Sequence, residues 1–338
     1  MLNKILSVIV PVYGTERYIT KCLDSVLLAT NGLDAEIIIV NDGTKDAAGK
    51  IAQKYALEYS RKIRYFEKKN GGLADTKNYG LSRAEGIFVT FLDSDDYVDV
   101  EIYRDMLWAA EQENADCVVC DMIRENEDKS WVMYDHCAAL SRDDMYQKFI
   151  DTSLMASSCN KIMRRTLLEG LQFPVGMNNE DITVTPIAMG RSARIAYVPK
   201  GMYHYVQREN SIQNVKFSEK RFVVVDAVRL ALERAADMPQ SRQEQLKGSL
   251  YVFQILAVAL YLIRKEAFFD RYYLIKAYIR RVNEILPDFF QNKEVWEYTA
   301  WGNRKNNLFR KISVFLLEKK MFLVCSVFWQ VVNFLKTE

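Results

Sequence analysis

The chain has 338 residues, 49% hydrophobic and 27% charged, which suits a folded globular protein and excludes collagen-like and disordered classes. Forty-six basic residues against forty-four acidic ones leave a net charge of +2, so no partnership with nucleic acid is expected. The length exceeds that of a usual single core, which predicts one large α/β domain and a smaller helical region.

Leu6 to Val12 is β-branched and closes on Pro11-Val12-Tyr13-Gly14, which predicts a buried strand running into a loop. The run from Ile5 to Val12 is too short for the core of a signal peptide. A helix is expected from Thr15 to Leu28, then a strand at Glu36–Val40 closed by the turn sequence Asn41-Asp42-Gly43. Further on, helices are expected at Ala47–Tyr59 and Ala74–Ala84, and strands at Ile63–Phe66 and Phe88–Leu92. This β-α-β-α-β-α-β order implies a parallel sheet whose ligands sit at the carboxyl ends of its strands, bringing together Tyr13, Asp42 and Asp93–Asp96. After a helix at Tyr103–Glu113 and strands at Asp116–Cys120 and Ile195–Val198, the pattern turns helical: Arg221–Ala236, Gln243–Arg264, Tyr272–Leu286 and Lys311–Phe334.

Six scattered cysteines fit a reducing compartment, and the C-x-x-C of Cys117 and Cys120 lies in an apolar strand with no second pair to complete a zinc site. The apolar run Met321–Val332 is shorter than the ~20 residues a spanning helix needs. Between Asn303 and Lys320, basic residues interleave with Leu308, Phe309, Ile312, Phe315 and Leu316, a pattern suited to an anionic membrane surface or to internal packing.

The segment Phe91-Leu92-Asp93-Ser94-Asp95-Asp96 puts three carboxylates in four positions just past a strand. Like charges this close raise one another's pKa, and a hard divalent cation relieves the repulsion. Taken alone, the cluster also suits a solvated loop or a helix cap. Glu180-Asp181 likewise suits the positive end of a helix dipole, and Asp42 an Asx turn.

Taken together, Ser7-Val8-Ile9-Val10-Pro11-Val12-Tyr13, Ile38-Ile39-Val40-Asn41-Asp42-Gly43-Thr44, Asn70-Gly71-Gly72-Leu73, Lys77-Asn78-Tyr79-Gly80 and the Asp93–Asp96 segment resemble the family 2 glycosyltransferases over residues 5–215. The resemblance implies a GT-A fold: α/β, with a mostly parallel, Rossmann-like sheet flanked by helices and a C-terminal helical region. Residues 1–215 would form the catalytic domain. Residues 216–338 would make acceptor, membrane-surface or homodimer contacts, with 303–335 the membrane-facing stretch.

By the same resemblance, Pro11 and Tyr13 wall the nucleotide pocket, Asp42 bonds the base, and Asp93 with Ser94 faces the ribose side. Asp95 binds Mg²⁺ or Mn²⁺ bridging the diphosphate, and Asp96 orients the loop. Lys77, where arginine is more usual, contacts phosphate without the bidentate fork. Asp181 matches the catalytic base beside Glu180, Lys161 approaches substrate, His204 adds a metal ligand and Arg208 a phosphate contact.

The implied activity is inverting transfer from a UDP-sugar to a glycan or lipid-linked acceptor in capsular or exopolysaccharide biosynthesis, on the cytoplasmic side of the membrane. The competing class is a non-catalytic, nucleotide-binding scaffold, which loss of Asp95 or Asp181 would have favoured. A dinucleotide oxidoreductase lacks its G-x-G-x-x-G, because Pro11-Val12-Tyr13-Gly14 stands in that place. His136 has no evident nucleophile partner and receives no role, and the tryptophans read as core.

Overall fold

The run Leu6–Val12 forms strand β1 with every residue buried, between β2 (Ala35–Asn41) and β4 (Phe88–Phe91), both parallel to it. The computed structural model describes residues 4–126, 130–133, 156–177, 179–207, 219–265, 268–297 and 304–337. Strand β3 (Ile63–Glu67) adds to β2, also parallel. Strands covered on both faces need near-continuous apolar runs, which is why β1, β2 and β4, buried throughout, are legible from sequence. They are joined through α1 (Ile19–Ala29), α2 (Ala48–Glu58) and α3 (Leu73–Leu81). At Gly80 α3 comes so close to β1 that an added Cβ would lie 2.4 Å from Ile9 Cγ2.

Beyond β4 the sheet changes character. After the two-residue β5 (Tyr97–Val98) and α4 (Ile102–Glu113) come β6 (Cys117–Glu125), β7 (Ser130–Met133), β8 (Lys161–Arg164), α5 (Thr185–Arg191) and β9 (Ile195–Val206). The order is β3-β2-β1-β4-β8-β6-β9-β5, with β7 on β6. Strand β8 runs antiparallel to both β4 and β6, while β6 and β9 are parallel. The α/β class with a mostly parallel sheet therefore stands: β1–β4 and the β6–β9 pair are parallel, and β8 is inserted antiparallel. Antiparallel β8 brings Ser158–Asn160, which precede it, to the carboxyl edge of β4. Cys117 and Cys120 lie buried in β6, and burial pushes both thiols up to about 12, so this pair is core.

The chain divides into two compact units, Met1–Phe149 with Leu154–Val215, and Ile150–Ser153 with Lys216–Glu338. The second unit is helical: α6 (Val223–Arg234), α7 (240–265, π-helical over Tyr251–Leu256), α8 (Phe268–Ile285), α9 (Lys293–Glu297), α10 (Arg304–Glu318) and α11 (Phe322–Thr337). Within α7, Gln240–Ile263 is long and apolar enough to cross a membrane by length and composition, and 67% of its most apolar window is buried. Buried Arg310 of α10 donates to the carbonyls of Val295 and Trp296 at 2.6 and 2.7 Å, closing the end of α9.

The single helix expected over Lys311–Phe334 is two. Lys320 takes a left-handed φ of 57°, with Lys320 N bonded to Leu317 O and Met321 N to Leu316 O, the paired bonds of a Schellman stop. No glycine or proline marks that stop, so the apolar periodicity ran through it. Lys320→Gly removes the left-handed cost, and the midpoint of chemical denaturation is expected to rise by the equivalent of about 1 kcal/mol.

Candidate functional site

Strand β4 delivers Asp93–Asp96 to the carboxyl edge of the sheet, and each carboxylate meets a different environment. Asp96 accepts from the Tyr203 hydroxyl at 2.6 Å and from the Val206 amide at 2.8 Å, which ties the loop to β9. Ser94 Oγ lies 3.0 Å from Thr15 Oγ1, anchoring the loop towards the turn after β1. Asp93 Oδ2 accepts from the Cys159 thiol at 3.4 Å, whereas Asp93 Oδ1 is buried with no hydrogen-bond partner. Burial raises the Asp93 carboxyl above the usual range; Lys77 opposes this, and Asp95 and Asp181 add to it. Asp96 is pushed up further, by burial and then by Asp93 and Asp95.

Across from this loop, Glu180 and Asp181 open the 3₁₀ turn Glu180–Thr183, after Asn179 at a left-handed φ of 65°. Their cation is Lys77 of α3, 1% exposed, whose Nζ donates to Asp181 Oδ1 at 2.8 Å and Glu180 Oε1 at 3.1 Å. Burial alone would lower the Lys77 pKa, but Asp181 and Glu180 outweigh it and hold the ammonium well above its ordinary value. Burial likewise raises Glu180, against the pull of Lys77. Lys77 is therefore the buried counter-ion of the acidic pair. Its charge is turned to Glu180 and Asp181, where the resemblance implied a phosphate contact. Next to it, Asn78 exchanges two bonds with the backbone of Phe173, each 2.8 Å, which fixes the segment leading to the acidic pair.

Asp42 ends β2 almost wholly buried. It accepts from Lys68 Nζ, Asn70 Nδ2, and the amides of Gly71 and Gly72 at 2.9 and 2.8 Å. A carboxylate offers about four acceptor positions, so these bonds fill it. It holds the Asn70–Gly72 loop. Gly72, at φ 86°, gives the backbone the turn that aims its amide at Asp42. Pro11 is buried in β1, one residue before that strand ends, and Tyr13 stands 53% exposed on the loop beyond.

The resemblance implied a metal contact for His204. It sits on β9, stacked on Tyr97 with ring centroids 4.1 Å apart, and its Nδ1 and Nε2 contact Glu125 at 2.7 Å and Asp99 at 3.1 Å. Both nitrogens are engaged by carboxylates. Lys161 is buried too and donates to Ser157 O at 2.6 Å and Asn160 Oδ1 at 2.9 Å, bracing the turn before β8 instead of reaching outward. Arg208 and His136 lie outside the described residues.

Ser158, Cys159 and Lys68 were missed from sequence. Ser158 Oγ lies 3.3 Å from both Asp181 oxygens and 3.5 Å from Lys77 Nζ, yet nothing in 156–160 marks it out locally. Only the antiparallel course of β8 brings it there.

Residues 7–171 match the family model described as glycosyl transferase family 2. They are a family 2 glycosyltransferase domain. The chain is similar to the glycosyltransferase GlyA of Streptococcus pneumoniae, 30% identical over 256 residues that cover 71% of this chain and 36% of GlyA. The chain spans 36% to 64% of the length of the first curated relatives it matches. Among solved structures, S. aureus TarS 1–349 in complex with UDP-GlcNAc is similar with a TM-score of 0.69 at 21% identity, over 92% of this chain and 90% of that one. Mannosyltransferase PcManGT from Pyrobaculum calidifontis, in complex with GDP-Man and Mn²⁺, is similar with a TM-score of 0.52 at 14% identity, over 100% and 89%. These likenesses show the GT-A fold with helices following it, as the sequence led one to expect.

Proposed function

We propose that this chain transfers a sugar from a UDP-sugar to a hydroxyl of a glycan or lipid-linked acceptor, with inversion at the anomeric carbon, in the building of a surface polysaccharide. The observation that carries the reading is the pairing, at one sheet edge of a family 2 domain, of an under-satisfied carboxylate loop with an acidic pair held by a buried lysine. The UDP-GlcNAc complex of TarS supports the choice of donor.

The Asp93–Asp96 loop fits a divalent cation: Asp93 Oδ1 is a buried oxygen donor with no partner, and Asp95 is the last carboxylate of the D-x-D. Among the described residues no group of three or more histidine, cysteine, aspartate or glutamate side chains makes a complete metal site. Asp95 with Asp93 would therefore hold Mg²⁺ or Mn²⁺ together with diphosphate oxygens, the usual mode for Mg²⁺. Such a cation supplies neutralisation of the charge that the departing UDP gains. The acceptor oxygen attacks the anomeric carbon as the bond to the UDP oxygen breaks. The acceptor's proton passes to the carboxylate of Asp181, which Lys77 and Ser158 orient.

Calorimetric titration with UDP, with and without Mn²⁺, on the parent protein and Asp95→Ala tests the donor site. Metal-dependent binding that Asp95→Ala abolishes is the expected result. No UDP binding in either condition, or binding indifferent to both metal and Asp95, would overturn it. Release of UDP from UDP-GlcNAc in the presence of acceptor then separates a transferase from a scaffold.

A further inference from the structure

Helices α10 and α11 bury one side and leave the other apolar. In α11, Cys325 and Trp329 are buried, with Trp329 Nε1 donating to Ser313 Oγ of α10 at 2.8 Å and Ser326 O accepting from Arg271 of α8 at 2.9 Å. The opposite face carries Leu323, Val327 and Val331 at four-residue spacing, flanked by Val324, all about half exposed. On α10, Leu308 and Phe315 are exposed one on either side of the exposed Lys311. Lys319 and Lys320 are exposed at the turn between the two helices.

Charge identifies the occupant. Residues 304–337 hold seven basic residues against Glu318 alone, although the whole chain carries only +2, so the rest of it is net acidic. A second copy docked through the same face, as in a two-fold dimer, would bring the same positive charge to the contact, and like charges repel; an anionic surface would not. Helices with exposed apolar side chains and lysines at their borders suit the headgroup boundary of a bilayer.

We propose that the α10–α11 face docks on an anionic lipid surface, with Leu323, Val324, Val327 and Val331 entering the headgroup boundary and Lys311, Lys319 and Lys320 meeting anionic headgroups. The vesicle test needs no turnover, and the parent protein's circular-dichroism spectrum and thermal midpoint, which do not depend on the donor, report whether each variant is folded. The full chain is sedimented with neutral phosphatidylcholine vesicles and with vesicles holding about 30% phosphatidylglycerol. At least about tenfold tighter binding to the anionic vesicles is expected, lost in high salt. Lys311→Glu with Lys319→Glu, and separately Leu323→Ser with Val327→Ser, should each weaken it about tenfold. Equal binding to both vesicle types, or none to either, would overturn the proposal. So would concentration-dependent self-association that Leu323→Ser with Val327→Ser abolishes while vesicles go unbound, which would assign the face to a second copy.

Discussion

Replacing Asp181 by asparagine is expected to lower kcat for transfer about 10³-fold while metal-dependent UDP binding stays within about twofold. Asparagine keeps the size of the side chain and an oxygen for Lys77 and Ser158, which lie 2.8 and 3.3 Å from Asp181 Oδ1. It cannot accept the acceptor's proton. The carboxylates that would meet the cation and diphosphate belong to the Asp93–Asp96 loop, so the donor site should survive. Initial rates of UDP release with acceptor present, set beside calorimetric UDP affinity, separate the two functions. Near-parental kcat in Asp181→Asn would remove it as the base and move attention to Glu180, the other carboxylate on Lys77.

Lys77→Met is expected to be the most destabilising single change in the site, by about 3–5 kcal/mol in chemical denaturation, because it strands two carboxylates that share one buried cation. Glu180 and Asp181 are 13% and 20% exposed at the side chain, so little water reaches them to replace the ammonium. Adding Glu180→Gln to Lys77→Met should return a substantial part of the loss, since it removes one of the stranded charges. A cost below about 1 kcal/mol, the level of an exposed pair, would show that the ion pair is not desolvated as its geometry indicates. Methionine rather than arginine is the informative replacement. Lys77 Nζ lies 5.2 Å from the Phe173 ring centroid and 5.8 Å from that of Phe91, so the larger planar guanidinium would have to displace aromatic rings.

The sequence by itself determined the first half of the sheet and the edge that carries the chemistry. Strands buried on both faces must be continuous apolar runs, and Leu6–Val12, Glu36–Val40 and Phe88–Phe91 can be nothing else; the polar residues that follow them fall at one edge because parallel strands all end on one side. What it could not determine is which groups meet across long separations. Lys77 and Asp181 are 104 positions apart, and neither local pattern names the other. Nor do the local patterns show that the Asn70–Gly72 loop closes on Asp42, or that Asp99 and Glu125 flank the two nitrogens of His204. Strand β8 is four residues long, too short to show a period, and its antiparallel insertion between β4 and β6 is what carries Ser158 and Cys159 into the site. Periodicity records how each segment meets the core. Pairing, and with it which charge neutralises which, is settled only when segments distant in sequence compete for the same buried space.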